Sequence, residues 1–313
     1  MAALEIAASD HERLGQEFEQ AAVAHRVVAR NLRARINALA VRQDNEIDTP
    51  AVRPVDDEET FSQYFIVARL LGLFEVSVGG TRVERWRSQR AASLLKYLLL
   101  YQGGPVRREA LMRSFWPFSG SSSARNNLNV VVYSLRRTLN FVDPEHPHVI
   151  YRDGAYLLNP SLRRWVDVPE YTAARELGHR CFAAGDLTRA ITAYRHSRSL
   201  YRGSLMEGDV SGEWFRDDEL RLQDEHHSVL ERLGTALLQH GEASASIDIG
   251  RELVSADPCR ETGHQLLMRG YAALQQPQLV VRQYRECVDV LRRELSIEPD
   301  AATRALLQSV VGT

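Results

Sequence analysis

The chain has 313 residues, of which 44% are hydrophobic and 26% are charged, with a formal net charge of −2. This is an ordinary globular composition with enough residues for about two or three domains. The sequence lacks an apolar run near the roughly 20 residues that span a bilayer. Its first residues lack the basic and apolar regions of a signal peptide. We therefore expect a cytoplasmic protein with no membrane partner.

The sequence shows no recognisable motif for catalysis or metal binding. Its three cysteines, Cys181, Cys259 and Cys287, are far apart and odd in number, which fits reduced core thiols better than disulfides or a metal site. Neither a G-x-S-x-G nucleophile motif nor a G-x-x-x-x-G-K phosphate loop occurs. We therefore expect no metal, no cofactor and no enzymatic activity.

Positive charge is concentrated in the middle of the chain. Residues 69–166 contain 15 Arg and Lys against 6 Asp and Glu, a net charge of +9. The preceding residues 1–68 carry −5, and residues 167–313 carry −6. A basic segment between two acidic ones is typical of a nucleic-acid-binding domain with acidic neighbours.

Residues 121–139 have the pattern of a DNA-recognition helix. Four apolar residues recur at steps of four, three and four, which places them on one face of an α-helix: Leu128, Val132, Leu135 and Leu139. The opposite face carries short amides, a hydroxyl and a guanidinium, which can reach base edges and phosphates in a major groove. Taken alone, the same stretch also fits an ordinary amphipathic surface helix.

The elements around this stretch follow the order of a winged helix. The β-forming residues Leu73, Phe74, Val76 and Val78, with the turn signal Gly79-Gly80, predict strands within residues 64–83. Residues 88–104 and 105–117 predict two helices. Asp153-Gly154, between two β-rich runs, predicts a hairpin. Strands, three helices and a hairpin indicate a winged helix-turn-helix domain over residues 64–166.

In such a domain the second helix crosses the DNA backbone, the third helix enters the major groove, and the hairpin is the wing. The arginines of the second helix and the wing then contact phosphates, while the third helix reads bases. The expected DNA-contacting residues are Arg107, Arg108, Arg113, Arg125, Asn126, Asn127, Val130, Ser134, Arg136, Arg137 and Arg152.

The rest of the chain is predicted to be largely helical. Residues 1–43 form an N-terminal helix whose apolar seam either zips to a second copy as a coiled coil or packs on its own chain. Residues 44–63 are an acidic, proline-containing linker. In residues 167–313, apolar positions recur 34 residues apart, the tetratricopeptide spacing. The predicted fold class is mainly α, with an N-terminal helix, an α+β winged helix-turn-helix domain and an all-α tetratricopeptide-like domain.

Several stretches together carry a family resemblance: LLKYLLLYQGGPVRREALMRSFWP, ARNNLNVVVYSLRRTL, the wing VIYRDGAYLL, and the helical GDLTRAITAYRHSRSLYRGSLMEG. From about residue 70 onwards, the chain resembles the SARP-type transcriptional activators, the antibiotic regulatory proteins of actinobacteria. In that family a winged helix is joined to a bacterial transcriptional activation domain. Residues 1–63 lie outside the small-family pattern, and the ATPase phosphate loop of large members is missing.

The resemblance implies binding to direct repeats beside the −35 region of a promoter. It also implies recruitment of RNA polymerase through sigma region 4, with the alpha and beta subunits as further candidates, at a biosynthetic gene cluster. From the resemblance we expect a nucleoid-associated activator that binds promoter DNA. The apolar seam of the N-terminal helix, together with the helical domain, predicts that it binds as a homodimer.

Two other functions fit part of the pattern. A regulator could sense a small effector, such as a nucleotide, in its helical domain. A helical scaffold could bind proteins only, although this would not explain the segregation of charge.

Overall fold

The computed structural model describes residues 61, 64–102, 104–209 and 213–311. The predicted N-terminal helix and, apart from Phe61, the predicted linker lie outside these described residues. None of the described helices is both long and apolar enough to cross a bilayer.

Within the described residues, strands and helices alternate first and helices follow. The first part contains β1 (Ile66–Arg69), β2 (Glu75–Val78), β3 (Thr81–Arg82), α1 (Gln89–Leu100), β4 (Val106–Arg107), α2 (Arg108–Phe115), α3 (Ser121–Val142), β5 (Val149–Arg152), β6 (Ala155–Leu158) and β7 (Arg164–Val166). The second part contains α4 (Asp167–Ala183), α5 (Leu187–Leu200), α6 (Arg216–Gln239), α7 (Ala243–Ala256), α8 (Glu261–Ala273), α9 (Pro277–Leu295) and α10 (Ala301–Val311). The predicted fold class is confirmed for these residues.

Two small sheets frame the three helices α1 to α3. One has the strand order β3-β2-β1-β7, with β1 antiparallel to β2 and parallel to β7. The other has the order β4-β6-β5 and contains the predicted hairpin. Gly79 and Gly80 turn the chain between β2 and β3 with φ of +55° and +79°. Leu73 and Phe74 were expected in a strand, but both lie before β2, and Leu73 is 67% exposed.

The helices α4 to α10 each pack against the next helix along the chain. Gly185 and Gly241 lie in the turns after α4 and α6 with positive φ. Gly270 in α8 allows a close approach to α7, because an added Cβ would lie 2.5 Å from the side chain of Ile247. These glycines occupy helix contacts and turns. The tetratricopeptide-type repeat itself stays a prediction.

A buried carboxylate joins the two parts of the molecule. Asp167, the first residue of α4, is 1% exposed. The backbone N–H of Leu70 donates to both of its oxygens at 2.8 Å, and the N–H of Leu71 donates to Oδ2 at 2.8 Å. The chain just after β1 is thus hydrogen-bonded to the start of the helical part.

The same stretch of chain is also held from the other side. The N–H of Met206 donates to the carbonyl of Leu70 at 2.7 Å, and the N–H of Glu207 donates to the carbonyl of Gly72 at 2.9 Å. In return, the N–H of Gly72 donates to the carbonyl of Ser204 at 2.9 Å. The segment after α5 therefore pairs with the extension of β1 as a short antiparallel edge.

A second contact lies on helix α1. Lys96, the only lysine of the chain, is 8% exposed and pairs with Asp209 at 2.5 Å. The hydroxyl of Tyr101 donates to Asp218 at 2.5 Å. The ring of Trp214 lies 4.9 Å from that of Tyr97. One apolar cluster accordingly continues from β1 into α8, so the winged part and the helical part share a core.

A buried histidine makes the stability of the helical part depend on pH. His226 in α6 is 8% exposed, and its ring stacks on Tyr201 at 3.8 Å. Burial lowers the pKa of His226 to about 3, whereas an unfolded histidine has a pKa of about 6.5. Below pH 6.5 the unfolded chain therefore binds the proton more readily, and stability falls as the pH falls.

We expect the substitution His226→Phe to remove this dependence while keeping a stacked ring. The loss of unfolding free energy between pH 7 and pH 5 should be smaller in the variant by about 2 kcal/mol, as a shift of this size at one site implies. Urea unfolding at the two pH values measures it. Equal losses in the two proteins would show that His226 is not a source of acid sensitivity.

Candidate nucleic-acid interface

Helix α3 has one buried face and one exposed face along its 22 residues. Its buried residues are Ala124, Leu128, Val131, Val132, Leu135, Thr138 and Leu139. Between residues 123 and 139, at about 100° per residue, four side chains lie within about 40° of the direction opposite Leu135: Asn126, Val130, Tyr133 and Arg137. We call these four residues the α3 ridge.

All four residues of the α3 ridge are exposed. Val130 and Tyr133 are 67% and 64% exposed, which is unusual for large apolar side chains in a helix with a well-packed opposite face. From Asn126 to Arg137 the ridge extends about 16 Å along the helix axis. A helix segment of this length fits the major groove of duplex DNA, which is wide enough to admit an α-helix.

The other predicted residues of α3 lie on its flanks. Asn127 and Ser134 are half-buried along one border of the exposed face, and Arg125 is exposed along the other. Arg136 is half-buried, and its Nε donates to the carbonyl of Val149 at 3.2 Å. Arg136 thus ties α3 to the first strand of the hairpin, a contact that its position in the sequence did not predict.

The hairpin has the turn that the Asp-Gly pair predicts. Asp153 and Gly154 have φ of +52° and +77°, as a two-residue turn between twisted strands requires. The side chain of Arg152 is 81% exposed and lies 3.5 Å from the carboxylate of Asp153. The carbonyl of Gly154 accepts a hydrogen bond from the N–H of Arg108 at 3.0 Å. The turn is therefore fixed against the start of α2.

One of the predicted second-helix arginines lies outside that helix. Arg107 is in β4, where it pairs with Ala155 of β6, and α2 begins at the next residue. Arg107 and Arg113 are exposed, whereas Arg108 is half-buried and pairs with Glu109 at 3.3 Å. The placement of Arg107 corrects the sequence prediction, because pairing with Ala155, 48 residues later in the chain, decides it.

Several arginines around the α3 ridge carry uncompensated charge. Among the residues that the structure describes, Arg107, Arg113, Arg125 and Arg137 make no ion pair. Guanidinium groups without a carboxylate partner are suited to phosphate oxygens or to the O6 and N7 acceptors of guanine. In the helical part, by contrast, Arg195 pairs with Glu242 at 2.7 Å.

Three exposed aromatic residues on or near α3 were missed from the sequence: Tyr133, Phe118 and Phe141, of which Phe141 is 82% exposed and follows Arg137 by one turn. Tyr133 follows Asn126 by seven residues, so counting two helical turns would have placed it on the exposed face. Phe118, in the turn between α2 and α3, is 86% exposed, and no periodicity identifies it. Nearby, the guanidinium of Arg90 lies 5.6 Å from the centroid of the buried Trp116 ring.

Comparison with known proteins identifies both parts. Residues 84–154 match the family described as transcriptional regulatory protein, C terminal, and residues 166–311 match the bacterial transcriptional activator domain. The chain belongs to the SARP-type transcriptional regulators. Both matching families are families of transcriptional regulators rather than enzymes. Across the described ranges, no group of three or more His, Cys, Asp and Glu is arranged to hold a metal ion.

This SARP-type regulator is 27% identical over 244 residues to the transcriptional regulatory protein MoaR1 of Mycobacterium tuberculosis, covering 77% of this chain and 78% of that protein. MoaR1 of Mycobacterium bovis gives the same identity and coverage. The fold is similar to that of Mycobacterium tuberculosis EmbR in complex with a low-affinity phosphopeptide, with a TM-score of 0.67 and 21% identity. The match covers 79% of the SARP-type regulator but only 65% of the EmbR chain.

Two adjacent arginines of α3 are expected to differ in their effect on stability. Arg136→Ala removes the partly buried hydrogen bond to Val149, and we expect the free energy of unfolding to fall by about 1 kcal/mol. Arg137→Ala is the matched control, since its exposed side chain makes no ion pair among the described residues, and it should change the value by less than about 0.5 kcal/mol. Urea unfolding of both variants tests this. Equal losses of unfolding free energy would show that the hydrogen bond from Arg136 to Val149 does not stabilise the fold.

Proposed function

We propose that this SARP-type regulator activates transcription by inserting the α3 ridge into the major groove of promoter DNA. The observation that carries the proposal is the α3 ridge itself, a line of amide, apolar, aromatic and guanidinium side chains directly opposite the core. It lies within a segment of net charge +9. A helix that presents such side chains outward is suited to reading base edges.

In this arrangement two sets of residues have separate tasks. Asn126, Val130 and Arg137 face the bases, and Asn127 and Ser134 line the edge of the groove. The phosphates of the two strands are contacted by the arginines around α3, in β4 and α2, and on the wing. The proposed phosphate contacts are Arg107, Arg108, Arg113, Arg125, Arg136 and Arg152. These contacts supply affinity and position, and the base contacts supply specificity.

The helical part is proposed to contact RNA polymerase through sigma region 4 while the winged part is bound to promoter DNA in the nucleoid. Direct repeats beside the −35 region would place two copies in tandem, and a biosynthetic gene cluster is the proposed target, as the family resemblance implies. Because Asp167 and the segment 204–207 attach the helical part to β1, bound DNA would set the direction in which that part faces.

A selection from fragments of the source genome at physiological salt tests DNA binding. We expect enrichment of one recurring motif. Arg137→Ala should weaken binding to that motif by about 5- to 150-fold, which corresponds to about 1–3 kcal/mol for a bidentate base contact. Arg282→Ala, which removes an exposed arginine of α9, is the control and should bind as the unaltered protein does. If no fragment is enriched, the proposal is wrong.

The tandem arrangement makes a separate prediction. Light scattering of the complex with a duplex that holds two motif copies should give the mass of two protein chains per duplex. A duplex with one copy inverted should bind less tightly, because direct repeats require the same orientation of both chains. A single chain on the two-copy duplex at saturation would rule out tandem binding.

A further inference from the structure

We infer that Val130 reads the 5-methyl group of a thymine in the major groove, and that each half-site of the operator therefore contains a thymine opposite the middle of α3. This inference rests on the proposed function and deepens it. It names a specificity-determining residue and the chemical group that the residue recognises.

Neither the core nor the helix accounts for a valine at this position. Val130 is 67% exposed and belongs to neither of the apolar clusters formed by the described residues. Valine is a weaker helix former than alanine, because its branched side chain loses freedom against the preceding helical turn. An exposed valine on α3 thus costs helix stability without adding to the packing.

The surroundings of Val130 favour DNA as the surface that covers it. Asn126 lies one turn before it on the α3 ridge, and Arg137 lies two turns after it. Exposed Arg125 adds uncompensated positive charge beside the ridge. An apolar protein partner would have to bury these polar groups beside Val130, whereas duplex DNA offers them acceptors. Among the base edges of the major groove, only thymine presents a methyl group.

Side-chain length along the α3 ridge indicates which part comes closest to the bases. Asn126 and Val130 are short, and Tyr133 and Arg137 are long. A helix that enters the groove with its N-terminal half leading brings the short side chains to the base edges. The longer side chains then span the greater distance to bases at the other end of the ridge, which is how Arg137 reaches a guanine edge. The side chain of Val130 has only apolar atoms, and the thymine methyl group is the largest apolar group that a base edge offers it in the major groove.

The experiment replaces single thymines of the selected operator with deoxyuridine, which removes only the methyl group. For the unaltered protein we expect one position in each half-site where the replacement weakens binding by about 3- to 10-fold, as the loss of one buried methyl group implies. Val130→Ala should weaken binding to the thymine operator by a similar factor. It should bind thymine and deoxyuridine operators equally at that position.

Asn126→Ala is the matched control on the same ridge. It should bind more weakly than the unaltered protein and still distinguish thymine from deoxyuridine. Val130→Ala is expected to stay folded, since alanine is the better helix former at an exposed position, and thermal unfolding checks this.

Each outcome separates this inference from the proposed function. If the unaltered protein binds its operator and no deoxyuridine replacement matters, Val130 does not read a methyl group, although DNA binding stands. If Val130→Ala keeps the thymine preference, another side chain reads the methyl group, and the inference is wrong. If Val130→Ala binds DNA normally but loses transcription activation, the ridge is a protein-docking surface instead. If no operator is found at all, it is the proposed function that fails.

Discussion

The hydrogen bonds from the backbone N–H groups of Leu70 and Leu71 to the carboxylate of Asp167 connect the winged part to the helical part. Burial raises the pKa of Asp167 to about 6, and the N–H donors oppose that rise. At neutral pH the carboxylate is thus charged inside the protein, where the two N–H groups replace water. A buried charge keeps its place only where such donors are present. Removing the carboxylate would leave two buried donors without an acceptor, a cost of about 1–3 kcal/mol for each. This contact therefore fixes where the first helix of the helical part begins relative to the sheet.

The consequence for function is geometric. The pairing of segment 204–207 with the extension of β1 and the buried pair of Lys96 and Asp209 add further contacts between the two parts. A regulator whose DNA-reading and protein-contacting parts share one core presents both surfaces in a fixed relation. Recruitment by such a molecule depends on where it binds along the promoter, because no flexible joint within the shared core compensates for a misplaced site. Under the proposed function, the fold therefore requires a fixed distance between the operator and the position of RNA polymerase on the promoter.

Local patterns predicted much of this structure, and long-range contacts account for what they missed. The steps between Leu128, Val132 and Leu135 placed the buried face of α3, and Asp153-Gly154 placed the hairpin, since both signals depend on near neighbours. Arg107 was misplaced because a strand almost fifty residues later pairs with it. The distinct contacts of Arg136 and Arg137 depend on the carbonyl of Val149, and the role of Asp167 depends on a strand end 97 residues earlier. No periodicity in the sequence contains that information.

In the proposed complex the α3 ridge lies in the major groove of the operator. Methylation interference at guanine N7 tests it most directly, because N7 is exposed in the major groove and is an acceptor for arginine. N7 methylation at one or two guanines in each half-site should block binding of the unaltered protein. Binding of the Arg137→Ala variant should become indifferent to methylation at one of them. Undiminished binding to operators methylated at every guanine N7 would show that the α3 ridge does not lie in the major groove.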